Sequence, residues 1–230
     1  MSNKILFVIS GHEALGNTGK KTGYYLSEVA HPWKVLTEAG YTIDFVSPNG
    51  GTCPVDGFDL EDPVNREFWE HDTYKAKIDN SLEPYQINPK NYAGIHFAGG
   101  HGTMWDFPEN EEIAKIAAAI YENNGGVSAV CHGPAGLLNI RLRDGNYLLN
   151  GKRVNGFTNE EEHAMGLTEV VPFSLEDELK ARGAYFEKAD MWAEFAITDG
   201  RLVTGQNPQS ATKVGQELAK VLSEKAAVAV

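Results

Sequence analysis

The sequence predicts an α/β fold in which a mainly parallel sheet carries helices on both of its faces. Four short apolar runs, at residues 4–10, 41–47, 94–98 and 126–130, alternate with segments in which apolar residues recur at helical spacing. Continuous apolar runs of this length are typical of parallel strands that are buried on both faces. Strands that alternate with helices form sheets of this covered kind.

The helical segments have recognisable ends. Pro32 is expected to break or kink the first helix, and the pair Asp62-Pro63 is a typical helix start. Turns are predicted at Asn150-Gly151 and Asp199-Gly200, each between β-like runs. The predicted helices lie at residues 23–39, within 63–80, at 109–123, in a short stretch at 135–139, and at 208–226.

Composition and charge exclude several classes of protein. The chain has 230 residues and a formal net charge of −12, so repulsion disfavours nucleic acid and anionic membrane surfaces as partners. Two cysteines, Cys53 and Cys131, are too few for a disulfide framework in a chain of this length. The sequence shows no signal-peptide pattern and no apolar run near the ~20 residues of a membrane span. We therefore expect one domain over residues 1–230, in the cytoplasm, with reduced thiols.

The strongest local motif is Ala129-Val130-Cys131-His132-Gly133-Pro134, in which a strand leads directly into a helix. Ligand sites of parallel sheets lie at the carboxyl ends of strands, and the small residues around Cys131 match a nucleophile on a strained turn. Backbone N–H groups and a helix N-terminus beside the sulfur are expected to lower the thiol pKa. The alternative is that Cys131 is a small core residue.

Four motifs together resemble those of the ThiJ/PfpI superfamily, which is class I glutamine amidotransferase-like. The motifs are AGGHGTMWDFP, VCHGP, GFTNEEE and ITDGRLVTGQNPQSA. They are most similar to the branch of glutathione-independent glyoxalase III and heat-shock chaperone proteins, and the similarity extends from about Lys4 to about Ala219. The resemblance implies a flavodoxin-like fold and a homodimer.

The resemblance also implies roles for individual residues. Cys131, His132 and an acid would form a triad, with Glu162 as the best match for the acid and Glu161 as the second choice. The glutamates of the run at 160–162 that are not the triad acid are expected to be solvated at a helix start. Glu28, on the first helix, would point at the cysteine and exchange a proton.

The loop Gly99-Gly100-His101-Gly102 would bind the substrate. By the same resemblance, the backbone N–H groups of Gly100 and His132 form an oxyanion hole. Gly99 leaves room for a substrate to approach, and His101 lines the pocket. The bulky side chains Trp105, Phe107 and Trp192 are expected to wall a small pocket.

Several other functions fit the sequence less well. An amidotransferase needs a distal His-x-Glu pair, but the last histidine, His163, is followed by Ala164-Met165. The segment 14–21 departs from the phosphate-loop pattern at two positions, and no G-x-G-x-x-G follows the first strand. A zinc site made of Cys131, His132 and a glutamate is disfavoured because adjacent residues do not easily chelate one ion.

Three functions remain, and we favour the first. It is a lyase of the glyoxalase III type, in the D-lactate dehydratase class, that converts methylglyoxal or glyoxal to a 2-hydroxy acid through a cysteine hemithioacetal. Protein deglycase or stress-protective activity is compatible with it, and no metal or organic cofactor is expected. The alternatives are a holdase chaperone without enzyme activity and a cysteine peptidase or amidase.

Overall fold

A six-stranded sheet forms the centre of the molecule. The computed structural model describes residues 2–228, and their side chains as far as Glu224. The strands are β1 (Lys4–Val8), β2 (Tyr24–Tyr25), β3 (Thr42–Val46), β4 (Val55–Asp56), β5 (Gly94–Phe97), β6 (Gly126–Val130), β7 (Arg153–Val154), β8 (Tyr185–Phe186), β9 (Ala196–Asp199) and β10 (Leu202–Gly205). The α-helices are α1 (Leu26–Glu38), α2 (Pro63–Trp69), α3 (Asp72–Asp79), α4 (Thr103–Asp106), α5 (Glu111–Glu122), α6 (Asn159–Ala164), α7 (Leu175–Ala181) and α8 (Ala211–Val228).

The central sheet has the strand order β3-β1-β5-β6-β10-β9. Every neighbouring pair is parallel except the edge pair of β9 and β10, which is antiparallel. This confirms the predicted flavodoxin-like, mainly parallel sheet. Within the described residues, no helix is long and apolar enough to cross a bilayer.

Both faces of the sheet are covered, as the continuous apolar runs predicted. Side chains of β1 alternate between two cores because successive residues of a strand point to opposite faces. Ile5 and Phe7 join the core under α1 and α8, whereas Leu6 and Val8 join the core under α5.

The predicted boundaries needed three corrections. The first helix begins at Leu26 rather than at residue 23, because Tyr24–Tyr25 pairs as a short strand with β4. The predicted helical stretch 135–139 is a 3-10 helix at Gly133–Leu137. A turn does form at Asn150-Gly151, but β7 after it pairs in parallel with β8 and no strand precedes it, so it closes no hairpin. The turn at Asp199-Gly200 closes the hairpin of β9 and β10.

Pro32 does not break α1, which is continuous from Leu26 to Glu38, so of the two predicted outcomes the break is wrong. Proline has no N–H to donate to the carbonyl four residues earlier, which here belongs to Glu28. That carbonyl instead accepts a hydrogen bond of 3.1 Å from Nε2 of His96, on β5. Because burial lowers the pKa of His96 to about 4, the ring is neutral, and its Nδ1 accepts from Ser128 Oγ at 2.9 Å. A buried histidine thus replaces the missing helix bond and ties α1 to the sheet.

Glu161 was expected either as a second choice for the triad acid or as a solvated residue, and it is neither. Its carboxylate is fully buried and joins three segments of chain. One oxygen accepts from the N–H and the hydroxyl of Thr158, both at 3.0 Å. The other accepts from Trp192 N at 3.0 Å, Gln206 Nε2 at 3.1 Å and Asn207 Nδ2 at 2.9 Å. Of the run at 160–162, only Glu160 is exposed.

Replacing Glu161 by Gln should therefore destabilise the fold. An amide offers one acceptor oxygen, so some of the five donors would face an N–H₂ group. We expect the free energy of unfolding to fall by roughly 3 kcal/mol, measured by urea denaturation. The matched control, Glu160→Gln, removes only an exposed ion pair with Lys188 and should change stability by less than about 0.5 kcal/mol. Equal stability of the two variants would contradict the structural role of Glu161.

Candidate active site

The Cys131 turn is the centre of the site. Cys131 follows β6 directly and has a left-handed backbone, with φ of 59°, a conformation that is strained for a non-glycine residue. Its N–H donates to Gly205 O at 2.9 Å, and its carbonyl accepts from Phe157 N at 2.8 Å. A Cβ on Gly133 would lie 2.2 Å from Phe97 O, so the chain can turn there only with glycine. The sharp strand-to-helix turn predicted from the sequence is present.

Cys131, His132 and Glu162 lie in one hydrogen-bonded line. Cys131 Sγ is 3.3 Å from His132 Nδ1, and His132 Nε2 is 2.7 Å from Glu162 Oε2. Burial lowers the pKa of His132 to about 4, so the ring is neutral at neutral pH. An ionised carboxylate only accepts, so the proton of His132 lies on Nε2 and the lone pair of Nδ1 faces the thiol. The arrangement can therefore take a proton from Cys131.

His101 and His132 both form a hydrogen bond with the carboxylate of Glu162. Its Nε2 is 2.9 Å from Oε1, the oxygen that His132 does not use. Burial alone would raise the pKa of Glu162, but hydrogen bonds from His101 and His132 lower it to about 2. Glu162 is thus ionised across the physiological range.

Phe157 is a site residue that sequence reasoning missed. Its ring lies against that of His132, with centroids 4.3 Å apart, and its other neighbours are His101 at 5.9 Å and Trp192 at 5.7 Å. Phe157 belongs to the GFT motif, but nothing in a single sequence indicates that it packs on the histidine. Its contacts hold the imidazole in place.

Of the three aromatic residues expected to wall the pocket, only Trp192 packs on this cluster, through Phe157. Phe107 is buried in the core against Phe97, with ring centroids 5.8 Å apart. Trp105 stacks on His12 with centroids 5.0 Å apart. The expectation rested on the bulk of these side chains, and bulk does not distinguish a core residue from a residue that lines a pocket.

Glu28 is also a neighbour of the cysteine. It is fully buried, and its Oε2 accepts from Gly99 N at 2.8 Å. Burial raises its pKa to about 8, although the neighbouring Cys131 thiol and the hydrogen bond from the Gly99 N–H oppose that rise. Oε1 is buried without an aligned hydrogen-bond partner among residues 2–228.

The thiol pKa differs from the sequence expectation. Burial and the negative charge of Glu28 raise the pKa of Cys131, and the lowering effect of the His132 backbone N–H is smaller. The expectation of a depressed pKa counted the backbone N–H groups of the turn but not the burial of the thiol, which is the largest cause of the rise. Two neighbouring acids in a buried site cannot both ionise easily, so Cys131 and Glu28 titrate as a coupled pair.

The glycine loop contacts Glu28 and packs closely against neighbouring backbone. The N–H of Gly99 is engaged by Glu28, and a Cβ at this position would lie 2.3 Å from Glu28 Oε2. Gly100 has φ of 100°, and a Cβ there would lie 2.3 Å from Gly23 O. Gly99 thus positions Glu28, whereas Gly100 makes a close backbone approach that other residues could not make.

Known proteins resemble this chain along nearly its whole length. The sequence model of the DJ-1/PfpI family matches residues 21–221. Glyoxalase 3 of Candida albicans is 34% identical over 235 residues, covering 95% of this chain and 97% of that protein. The glutathione-independent glyoxalase HSP31 of Saccharomyces cerevisiae is 34% identical over 223 residues, covering 90% and 92%.

A solved structure agrees with the fold. The X-ray structure of the Rapid Encystment Protein 24 KDa of Francisella tularensis superposes with a TM-score of 0.92 at 42% identity, covering 96% of this chain and 99% of that one. The resemblance to the ThiJ/PfpI superfamily drawn from four motifs is confirmed: this chain belongs to the DJ-1/PfpI family.

Proposed function

We propose that the protein converts methylglyoxal or glyoxal to a 2-hydroxy acid without glutathione, with Cys131 as nucleophile. Two relatives that share 34% of its sequence are named as glyoxalases, one of them glutathione-independent. The observation that carries the proposal is the buried cluster in which the Cys131 thiol neighbours both the neutral base His132 and the carboxyl of Glu28.

The first step forms a hemithioacetal. The sulfur of Cys131 attacks the aldehyde carbon, and the thiol proton passes to Nδ1 of His132, 3.3 Å away. Glu162 stabilises the resulting imidazolium because it is ionised and already hydrogen-bonded to Nε2. The backbone N–H groups of Gly100 and His132 hold the carbonyl oxygen as it gains charge, until His132 returns the proton to it.

The second step moves a proton between neighbouring carbons. Glu28 in its ionised form takes the proton from the former aldehyde carbon, which gives an enediolate. The hydroxyl proton of the hemithioacetal then moves to the neighbouring oxygen, and Glu28 returns its proton to the adjacent carbon. A pKa near 8 suits a group that must both accept and donate a proton near neutral pH. The product is a thioester, which water hydrolyses to release the 2-hydroxy acid and the free thiol.

The depth of the site separates this function from its rivals. Cys131 is 4% exposed and Glu28 and His132 are fully buried, so an extended peptide could not bring its carbonyl to the sulfur. The geometry therefore favours a small dicarbonyl over a peptidase substrate. The homodimer implied by the resemblance, and the cytoplasmic location, stay predictions.

Cys131→Ala should abolish formation of lactate from methylglyoxal by metal-free protein without glutathione, because no other group supplies the nucleophile. The fold should remain, as judged by circular dichroism. Cys53→Ala is the matched control and should keep the native rate. Lactate formation at the native rate by Cys131→Ala would remove the central claim. A native protein that made no lactate but suppressed aggregation would be a chaperone.

Glu162→Gln should lower kcat by roughly 10²-fold, less than the loss of Cys131. The amide oxygen can accept from only one of the two histidines, so His132 loses its orientation and its counter-ion. Steady-state kinetics measure this change, with the exposed Glu160→Gln as control. If Glu162→Gln kept the native kcat, the triad role of this carboxylate would be wrong.

Glu28→Gln should lower the rate by ~10²–10⁴-fold and change its dependence on pH. In the native enzyme, the Cys131–Glu28 pair must lose one of its two protons before reaction. Hence kcat/KM should rise as pH increases towards about 8, the pKa of Glu28. This titration should be missing in Glu28→Gln, because an amide does not ionise in this range.

Glu38→Gln, at the exposed end of the same helix, is the control for Glu28→Gln. It should retain both the native rate and the native pH profile. A Glu28→Gln enzyme with the same two properties would show that Glu28 moves no proton.

A further inference from the structure

Two histidines face one carboxylate in this site, in a geometry that a metal ion could occupy. His101 Nε2 is 2.9 Å from Glu162 Oε1, and His132 Nε2 is 2.7 Å from Glu162 Oε2. One ligand atom from each residue can be chosen so that all three lie within 4.8 Å of one another. The two histidine nitrogens therefore already converge on the same carboxylate.

The donor set is one that zinc prefers. Two imidazole nitrogens and one carboxylate, with a fourth position left open, form a common arrangement around Zn²⁺. Bonds of ~2.1 Å in a tetrahedron separate neighbouring ligand atoms by ~3.4 Å. The spacings in this site need only modest adjustment to reach that value.

The three side chains come from separate, well-anchored parts of the fold. His101 follows β5, His132 follows β6, and Glu162 lies in α6. The two imidazole centroids are 4.0 Å apart, and Phe157 packs against both rings. Such a cluster loses little side-chain freedom when it binds an ion.

We propose that His101, His132 and Glu162 bind Zn²⁺ or a similar divalent transition-metal ion, and that the bound ion reversibly inhibits the enzyme. The ion takes the place of the protons that point from the two Nε2 atoms to the carboxylate. His132 then carries its proton on Nδ1, the nitrogen that faces Cys131 Sγ. It stays neutral, but it can no longer accept the thiol proton.

Cys131 is not a ligand in this proposal. Its sulfur approaches Nδ1 of His132, whereas the proposed ion binds Nε2 of the same ring. This distinguishes the site from a zinc site built on adjacent Cys131 and His132, which the sequence disfavoured. It also makes the binding testable in a protein without the nucleophile.

The binding experiment uses full-length, metal-free protein titrated with Zn²⁺ in a calorimeter, and with Co²⁺ as a spectroscopic probe. The native protein and Cys131→Ala should each bind one ion with similar Kd, and the Co²⁺ spectra should lack a sulfur-to-metal charge-transfer band. His101→Gln should weaken binding by at least ~10-fold. His163→Gln, an exposed histidine on the same helix as Glu162, should leave Kd unchanged.

Thermal unfolding of each variant without metal checks that it is folded, and added Zn²⁺ should raise the Tm of the native protein but not that of His101→Gln.

Inhibition rests on the proposed function and is measured separately. Zn²⁺ should stop lactate formation by the native enzyme, and a chelator should restore it. His101→Gln, compared with its own metal-free rate, should lose at least ~10-fold in sensitivity to Zn²⁺.

Binding that disappears in Cys131→Ala but persists in His101→Gln would overturn the proposal in favour of a thiolate site. The absence of stoichiometric binding would also overturn the proposal. If the native protein bound Zn²⁺ as expected but made no lactate, the metal site would stand and the glyoxalase assignment would fail.

Discussion

The left-handed turn at Cys131 is the constraint on which the site depends. Cys131 and His132 are consecutive residues, and in a regular strand their side chains would point to opposite faces. With φ of 59° at Cys131, the backbone folds so that Sγ and Nδ1 lie 3.3 Å apart. Two backbone hydrogen bonds of Cys131, from its N–H to Gly205 O and from Phe157 N–H to its carbonyl, stabilise this strained conformation. The neighbouring β10 and the loop before α6 therefore maintain the geometry of the proposed nucleophile and its base.

Two buried glutamates near this turn have opposite protonation behaviour. Glu162 receives N–H groups from two histidines, and these lower its pKa to about 2. Burial raises the pKa of Glu28 to about 8, and the hydrogen bonds that this carboxyl accepts lower the pKa by less than burial raises it. One carboxylate thus remains a fixed anion that orients His132, and the other is able to exchange a proton. Environments that push like groups apart in pKa are typical of acid–base sites.

The sequence predicted the sheet, the nucleophile turn and the identity of the family, because each leaves a local pattern. The register of the acid also had a local signal: Thr158 and Glu161 form a capping box, which commits Glu161 to the helix start and leaves Glu162 for His132. Other features depend on contacts between distant segments. His96 replaces the helix bond that Pro32 cannot make. Burial of the thiol, together with the charge of Glu28, raises the Cys131 pKa that the local turn was expected to lower. No spacing in one chain reports such contacts.

The raised thiol pKa changes how the reactivity of Cys131 is to be understood. A cysteine with a depressed pKa carries a standing thiolate and reacts with any accessible electrophile or oxidant. Here burial and Glu28 keep the thiol protonated at rest, and the base needed to ionise it is already in contact. In the proposed mechanism, the nucleophile therefore forms only when a carbonyl lies close enough to accept the sulfur while His132 accepts the proton. Selectivity for a small dicarbonyl then follows from access and alignment, rather than from intrinsic thiolate reactivity.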